Sequence, residues 1–291
     1  MHLALVGTAS AIDLQVRVGE RTSVPAPTVP EAVVARARGV PPVSTPLPAG
    51  GGAVRAVLPE RDPGQVVRVY LPEAVEVQVD SIAAADGEIV PAPQAPLLVA
   101  YGDSITQGWS VSEPGLAWPS LVGEVLGLDV VNLGFAGAAR GELLAADAVA
   151  GSGAAVVAIA WGTNAWSSLP TDEALIAEQM RVFLTAVRQG LPLAPVVVVS
   201  PIVRPEAEQT PNRFGTTHAT LRAALEAAVS RFVSTTGDER ITLVPGLGLV
   251  SPDQLADGIH PGDAGHAAIA LGLVPHVAAG LELAAMSSPV G

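Results

Sequence analysis

The 291-residue chain contains no cysteine, so disulfides, thiol nucleophiles and cysteine-ligated metal sites are excluded. It contains no lysine either, since all 15 basic residues are arginine. A Schiff-base lysine and a Walker-type phosphate lysine are thereby excluded. Against 28 acidic residues this leaves a formal net charge of −13, which opposes nucleic acid and anionic membrane as partners. Aromatics are scarce, at four Phe, two Tyr and four Trp. Gly and Pro, at 30 and 26, interrupt the long apolar runs, so no stretch approaches the roughly 20 uninterrupted apolar residues of a membrane helix. The opening residues 1–7 have neither a charged leader nor an apolar run long enough for a signal peptide. They read as a first strand, and the expected location is cytoplasmic.

What is present fits two domains divided near Pro93–Pro96. Before that point, Ile12 to Val18, Ala32 to Arg38, Gly52 to Leu58, Gln65 to Leu71 and Val75 to Val79 are short and often alternating. Turns such as Pro41-Pro42 and Gly50-Gly51-Gly52 separate them. Residues 1–94 therefore read as a small β-sandwich. From 95 to 291 the rhythm is strand, loop, helix, with strands expected at Leu97 to Tyr101, Val130 to Leu133, Ala155 to Ala160, Val196 to Ser200 and Ile241 to Val244. That alternation specifies a parallel sheet with helices on both faces. Ligands of such sheets bind outside the carboxyl ends of the strands.

Three of those ends carry chemistry. The apolar run Leu97-Leu98-Val99-Ala100 leads into Tyr101-Gly102-Asp103-Ser104-Ile105-Thr106-Gln107-Gly108, which presents Ser104 where a strand turns into a loop. A serine hydroxyl is a poor nucleophile until a base removes its proton, and histidine, with a pKa near ~6.5, suits neutral pH. Near the C-terminus, Asp257-Gly258-Ile259-His260 supplies such a base with a carboxylate three residues before it. Asp257 would accept from the far ring nitrogen, fix the tautomer and stabilise the imidazolium. Two further strand ends, at Gly134 and at Asn164, are candidates for oxyanion donors. Each alone also reads as an ordinary turn residue, as does Asp257.

The order Ser104, Gly134, Asn164, His260 resembles the SGNH hydrolase superfamily, the GDSL esterases and lipases, over the chain from Leu97 to its end. The stretches Ser104-Ile105-Thr106-Gln107-Gly108, Asn132-Leu133-Gly134-Phe135-Ala136-Gly137 and Asp257-Gly258-Ile259-His260-Pro261 are further similar to a bacterial branch with a β-rich domain in front. The resemblance implies acyl-ester chemistry without metal or organic cofactor. It implies a Ser104, Asp257, His260 triad, and an oxyanion hole from the N–H groups of Ser104 and Gly134 and the amide of Asn164. Ala165 departs from the Asp that often follows the Asn in this family. Asp103 is expected to support the turn. Rhythm and resemblance together give an α/β fold: a three-layer α/β/α flavodoxin-like parallel sheet preceded by a small jelly-roll-like β-sandwich.

Other features weigh less. Asp257, His260, Asp263 and His266 do not match metal-ligand spacing, and His266 is expected to face the helix interior or solvent. The Gly-x-Ser-x-Gly elbow of α/β-hydrolases fails at Thr106. Trp109, Trp161 and Trp166 lie within a few residues of Ser104 or Asn164, as a pocket wall or as core. Residues 202–214 form a candidate lid or specificity loop. The expected function is a serine esterase acting on a small soluble carboxylic ester of short acyl length, such as an acetylated sugar or metabolite, with the front domain shaping the substrate. An acyltransferase with the same triad is the first alternative; a non-enzymatic carbohydrate-binding protein is the second.

Overall fold

The computed structural model describes residues 2–21, 31–73 and 75–287. They form two units, each with its own core: Met1–Gln94 with Trp109–Leu116, and Ala95–Gly108 with Ala117–Gly291.

The first unit holds β1 (His2–Gly7), β2 (Ala11–Arg21), β3 (Ala32–Ala37), β4 (Val40–Pro46), β5 (Gly51–Val57), β6 (Val67–Tyr70), β7 (Val75–Ala84) and β8 (Ile89–Pro91). They pair antiparallel as two sheets, ordered β4-β3-β6-β1-β8 and β5-β2-β7. Period-two alternation builds the core between them. Ile12, Leu14 and Val16 of one sheet join Val33, Ala35, Val67 and Val69 of the other. On the outward face of β2, Asp13 pairs with Arg55 at 2.8 Å and Arg17 with Asp80 at 2.6 Å.

Two strands escape a reading that treats Pro as a break. Pro41 and Pro42 lie within β4 and Pro91 within β8, the two outer strands of their sheet, where a missing N–H costs no ladder bond. The segment Trp109–Leu116, expected with the second domain, clusters with the first. Gly115 lies against the Tyr70 ring and donates its N–H to Glu73, while Glu113 pairs with Arg36 at 2.8 Å.

The second unit is a parallel sheet of β9 (Leu97–Gly102), β10 (Asp129–Gly134), β11 (Val156–Ala160), β12 (Val196–Val199) and β13 (Ile241–Val244), ordered β10-β9-β11-β12-β13. This is the 2-1-3-4-5 flavodoxin-like order. The strands are near-continuous apolar runs because both faces are covered. Val99, Tyr101, Val157, Ile159 and Val198 pack under α3 (Leu143–Ala150), α4 (Glu173–Gly190) and α5 (His218–Thr236). Leu98, Ala100, Ala158, Val197 and Val199 pack under α2 (Trp118–Leu126) and α6 (Asp263–Ser287). The one-turn helix α1 (Ser104–Gln107) follows β9 directly.

Helix α4 shows how sequence sets this packing. Asp172 caps its first turn by accepting from Leu175 N–H at 2.8 Å, and Ile176, Met180, Phe183 and Val187 recur on one buried stripe. Helix α6 corrects an expectation. Gly272 and Pro275 do not interrupt it, and by length and composition alone it could cross a membrane, with a mean hydropathy of 1.7. Its stripe Ile269, Ala270, Leu273 and Val277 packs on the sheet, while Leu271 is 72% exposed.

Phe183 is fully buried and stacks on Tyr101, with ring centroids 4.6 Å apart. Phe183→Ala should therefore lower the unfolding free energy by about 3–5 kcal/mol in urea titration. A loss below about 1 kcal/mol would contradict this packing.

Candidate active site

Ser104 opens α1, and its position follows from what the chain leaves out. A Cβ on Gly102 would stand 2.1 Å from both Ala160 O and Thr106 Oγ1, so only glycine lets β9 turn this tightly beside β11. Asp103 caps the turn, its Oδ1 accepting from Ile105 N–H at 3.1 Å, and Gly108 closes it in the left-handed region.

His260 arrives on a separately organised turn. Asp257 Oδ1 accepts from the N–H of Ile259 at 3.0 Å and of His260 at 2.7 Å. Its Oδ2 meets His260 Nδ1 at 2.7 Å, and His260 Nε2 lies 2.8 Å from Ser104 Oγ. A continuous hydrogen-bonded relay thus joins the serine hydroxyl, the imidazole and a carboxylate. Burial alone would raise Asp257. The His260 N–H, the His260 ring with its charge, and the Ile259 N–H together hold it below the usual carboxylate range. Asp103, fully enclosed, is pushed up to about 6 by burial, against the pull of the Ile105 N–H, the His260 charge and the N–H groups of Thr163 and Gly162.

The third strand end brings Asn164. It is 6% exposed, and its Nδ2 is buried with no hydrogen-bond partner among the described residues. A buried amide donor without an acceptor is costly unless something else completes it. Gly134 stands differently. Its N–H donates to Asn132 Oδ1 at 2.9 Å, and the Asn132 amide donates to Thr106 O at 2.8 Å. A Cβ at Gly134 would meet Gln107 N at 2.1 Å, so this glycine serves the close approach of α1 to β10 and its N–H is already engaged. Three residues on, Gly137 is exposed in a left-handed turn, and its N–H makes no hydrogen bond among the described residues. Asn132 and Gly137 were missed as site residues. An Asn two residues before a Gly at a strand end is the available signal, because its side chain can accept from that N–H.

The tryptophans do not form one wall. Trp161 is fully buried over Gly141 and borders a small pocket of about 20 Å³ with Asp103 and Trp118, room for one water and no acyl chain. Trp109 is buried and belongs to the first unit. Trp166 is half-buried beneath the Arg204 guanidinium, 4.7 Å from its ring centroid. His266 is fully buried, and its Nδ1 accepts the Trp118 N–H at 3.2 Å, capping α2 where Ala117 cannot.

Residues 202–214, expected as a candidate lid, are fastened at their base. Glu208 accepts from Arg222 Nη2 at 2.5 Å, Arg222 Nη1 at 3.0 Å and Arg204 N–H at 3.0 Å, with His218 Nδ1 at 3.2 Å.

With a serine, histidine, aspartate relay at the end of β9 in a five-stranded parallel α/β/α domain and a family match over residues 96–277, the chain is a carboxylic ester hydrolase. Residues 96–277 match the GDSL-like Lipase/Acylhydrolase family, and the chain belongs to it. No curated protein matches the chain in sequence. Among solved structures it is similar to a salicylyl-acyltransferase from a tetracycline biosynthetic pathway, at 19% identity and TM-score 0.78, covering 96% of this chain and 81% of that one. It is similar to a GDSL-like lipase from Bacteroides ovatus, at 20% identity and TM-score 0.74, covering 97% and 84%. A family two carbohydrate esterase from Clostridium thermocellum, in complex with cellohexaose, aligns at 17% identity and TM-score 0.69, covering 97% and 92%. These likenesses carry the fold, front β-domain included.

The Glu208 knot generates a pH prediction. Burial first, then the Arg222 charge, pushes His218 down from 6.5 to about 4 against the pull of Glu208. Burial would raise Glu208, but Arg222 and the Arg204 N–H bring it down to about 2. Both folded values lie below the unfolded ones, so the unfolded chain binds more protons. The stabilisation is complete above the unfolded histidine value and is lost on acidification, the His218 share through about 4 and the Glu208 share through about 2. His218→Gln should flatten the fall in unfolding free energy between pH 6.5 and 4 by on the order of 3 kcal/mol in urea titrations at each pH. An unchanged slope would refute it.

Proposed function

We propose that this protein is a serine esterase that hydrolyses a small, soluble carboxylic ester of short acyl length through an acyl-enzyme on Ser104. One observation carries the reading: the relay from Ser104 Oγ through His260 to Asp257, at 2.8 and 2.7 Å. His260 Nε2 takes the hydroxyl proton as Oγ forms its bond to the ester carbonyl carbon. Asp257, held ionised, stabilises the imidazolium. The oxyanion of the tetrahedral intermediate is met by the uncommitted Asn164 amide and the Ser104 N–H at the start of α1, and the free Gly137 N–H is the candidate third donor. Collapse breaks the bond to the alcohol, which leaves with the proton from His260. Water, deprotonated by His260, then attacks the acyl carbon, and the acid departs as Ser104 regains its proton.

For the substrate, the supporting observations are the acidic surface, with a net charge of −13, and the carbohydrate esterase likeness. They favour an acetylated sugar or a decorated metabolite. The fold shared with a salicylyl-acyltransferase motivates a second reading, in which an alcohol acceptor replaces water at the second step.

Ser104→Ala should lower kcat/KM on p-nitrophenyl acetate by about 10⁴-fold or more, with His260→Ala nearly as damaging and Asp257→Asn milder. Labelling by a serine-directed phosphonate at any residue other than Ser104 would sink the assignment. Across acetyl to decanoyl esters kcat/KM should fall with acyl length, and a preference for decanoyl would overturn the short-acyl reading. With alcohol acceptors added, ester product in excess of acid would select transfer over hydrolysis.

A further inference from the structure

We infer that Arg204 is a positioning residue for Asn164, holding the amide of the oxyanion site in place through a strap that runs from β12 to α5. The inference rests on the reading of Asn164 as an oxyanion donor. Asn164 sits on a short helical turn held by its own backbone, with no side-chain contact on its amide among the described residues. Ala165 offers no side-chain hydrogen bond, and the local bonds are all backbone: the Asn164 carbonyl accepts from the N–H of Ser167 at 3.2 Å and of Leu169 at 2.9 Å, Ala165 N–H donates to Gly162 O at 3.0 Å, and Thr171 N–H donates to Ala165 O at 2.9 Å.

The strap adds side-chain anchors on either side of that turn. Arg204 is 6% exposed, and its Nη1 donates to Ser167 Oγ at 2.9 Å and reaches Thr163 O at 3.5 Å. Its two partners thus flank Asn164 in the chain. Its guanidinium plane also covers Trp166, and the Trp166 Nε1 donates across to Thr210 O at 2.7 Å. Asn212 closes the far end, donating to Thr171 O at 2.9 Å. The strap is itself anchored from below. The Arg204 N–H is held by Glu208, whose carboxylate is gripped by Arg222, and Arg222 further donates to Pro201 O at 2.6 Å and Ile202 O at 3.1 Å.

A planar, permanently charged fork suits this task, since one side chain must stack on an aromatic face and satisfy acceptors in the plane. A lysine keeps the charge and loses both. An oxyanion donor acts only where it is preorganised, so a loosened Asn164 costs transition-state binding while leaving substrate binding nearly intact.

The test is a double-mutant cycle on p-nitrophenyl acetate. Asn164→Ala should lower kcat about 100-fold or more. Arg204→Lys should lower kcat roughly 10- to 100-fold with KM within about twofold, and should weaken a short alkyl boronic acid, which forms a tetrahedral adduct on Ser104, by a similar factor. The shape of the pH profile should stay as in the parent enzyme, because His260 and Asp257 are untouched. In the Asn164→Ala background the Arg204→Lys effect should shrink to less than about threefold, because Arg204 acts through the missing amide. Should Arg204→Lys not fold, Ser167→Ala and Trp166→Phe each remove one strap contact and enter the same cycle. An undiminished effect in the Asn164→Ala background, or an effect confined to KM, would overturn the inference and leave the oxyanion reading standing. Turnover unaffected by Asn164→Ala would overturn both.

Discussion

Two missing Cβ atoms set the spacing on which the whole site depends. Without side chains at Gly102 and Gly134, the turn after β9 can wedge its backbone between the ends of β10 and β11. With them, the nearest heavy atoms would stand at 2.1 Å, a distance no relaxation of flexible side chains relieves, since backbone lies there in both cases. The serine hydroxyl, the capped turn and the Asn132 bridge to Thr106 all follow from that approach. Sheet order follows the same logic at larger scale: β9 is flanked by β10 and β11, so its end is where both neighbouring loops can face the serine.

A chain without lysine has to manage its buried cations with guanidinium alone, and here that restriction is put to use. Arg222 satisfies two backbone carbonyls and a carboxylate from one planar group, and Arg204 stacks while it donates. Desolvation of such groups is costly unless every donor direction is answered. Glu208 answers two donors of the Arg222 guanidinium and takes the Arg204 backbone N–H as well. The loop after β12 is thereby tied to α5, and Arg204 ties it in turn to the segment that carries Asn164.

The parts of this structure legible in the sequence were those decided locally. Ser104 at a strand end and His260 three residues after a carboxylate are short patterns whose geometry the backbone enforces. The apolar runs of β9, β11 and β12 announce burial on both faces. What sequence hid was decided at a distance or by neighbours. The Gly134 N–H faces a side chain two residues back, so the glycine looked like a donor and serves as a spacer. Pro41 and Pro42 read as a turn because edge position in a sheet is a property of topology. Trp161 sits at a strand end and points into the core, and the Trp109–Leu116 segment joins the first unit through contacts with residues some forty to eighty positions earlier. The interior Gly272 and Pro275 of α6 misled for a different reason, since helix packing on a sheet outweighs intrinsic propensity.

The turn that carries His260 is built from within. Asp257 binds the two N–H groups and the ring that follow it, and Ala256 N–H closes onto His260 O at 2.8 Å, all inside five residues. The serine it addresses lies 156 residues away in the chain. In folding terms these are events of opposite contact order: loop closure over five residues is fast, whereas joining the two ends of the domain waits on the assembled sheet. The acid and base thus take their mutual orientation from five neighbouring residues, whereas their meeting with the serine depends on the assembled sheet.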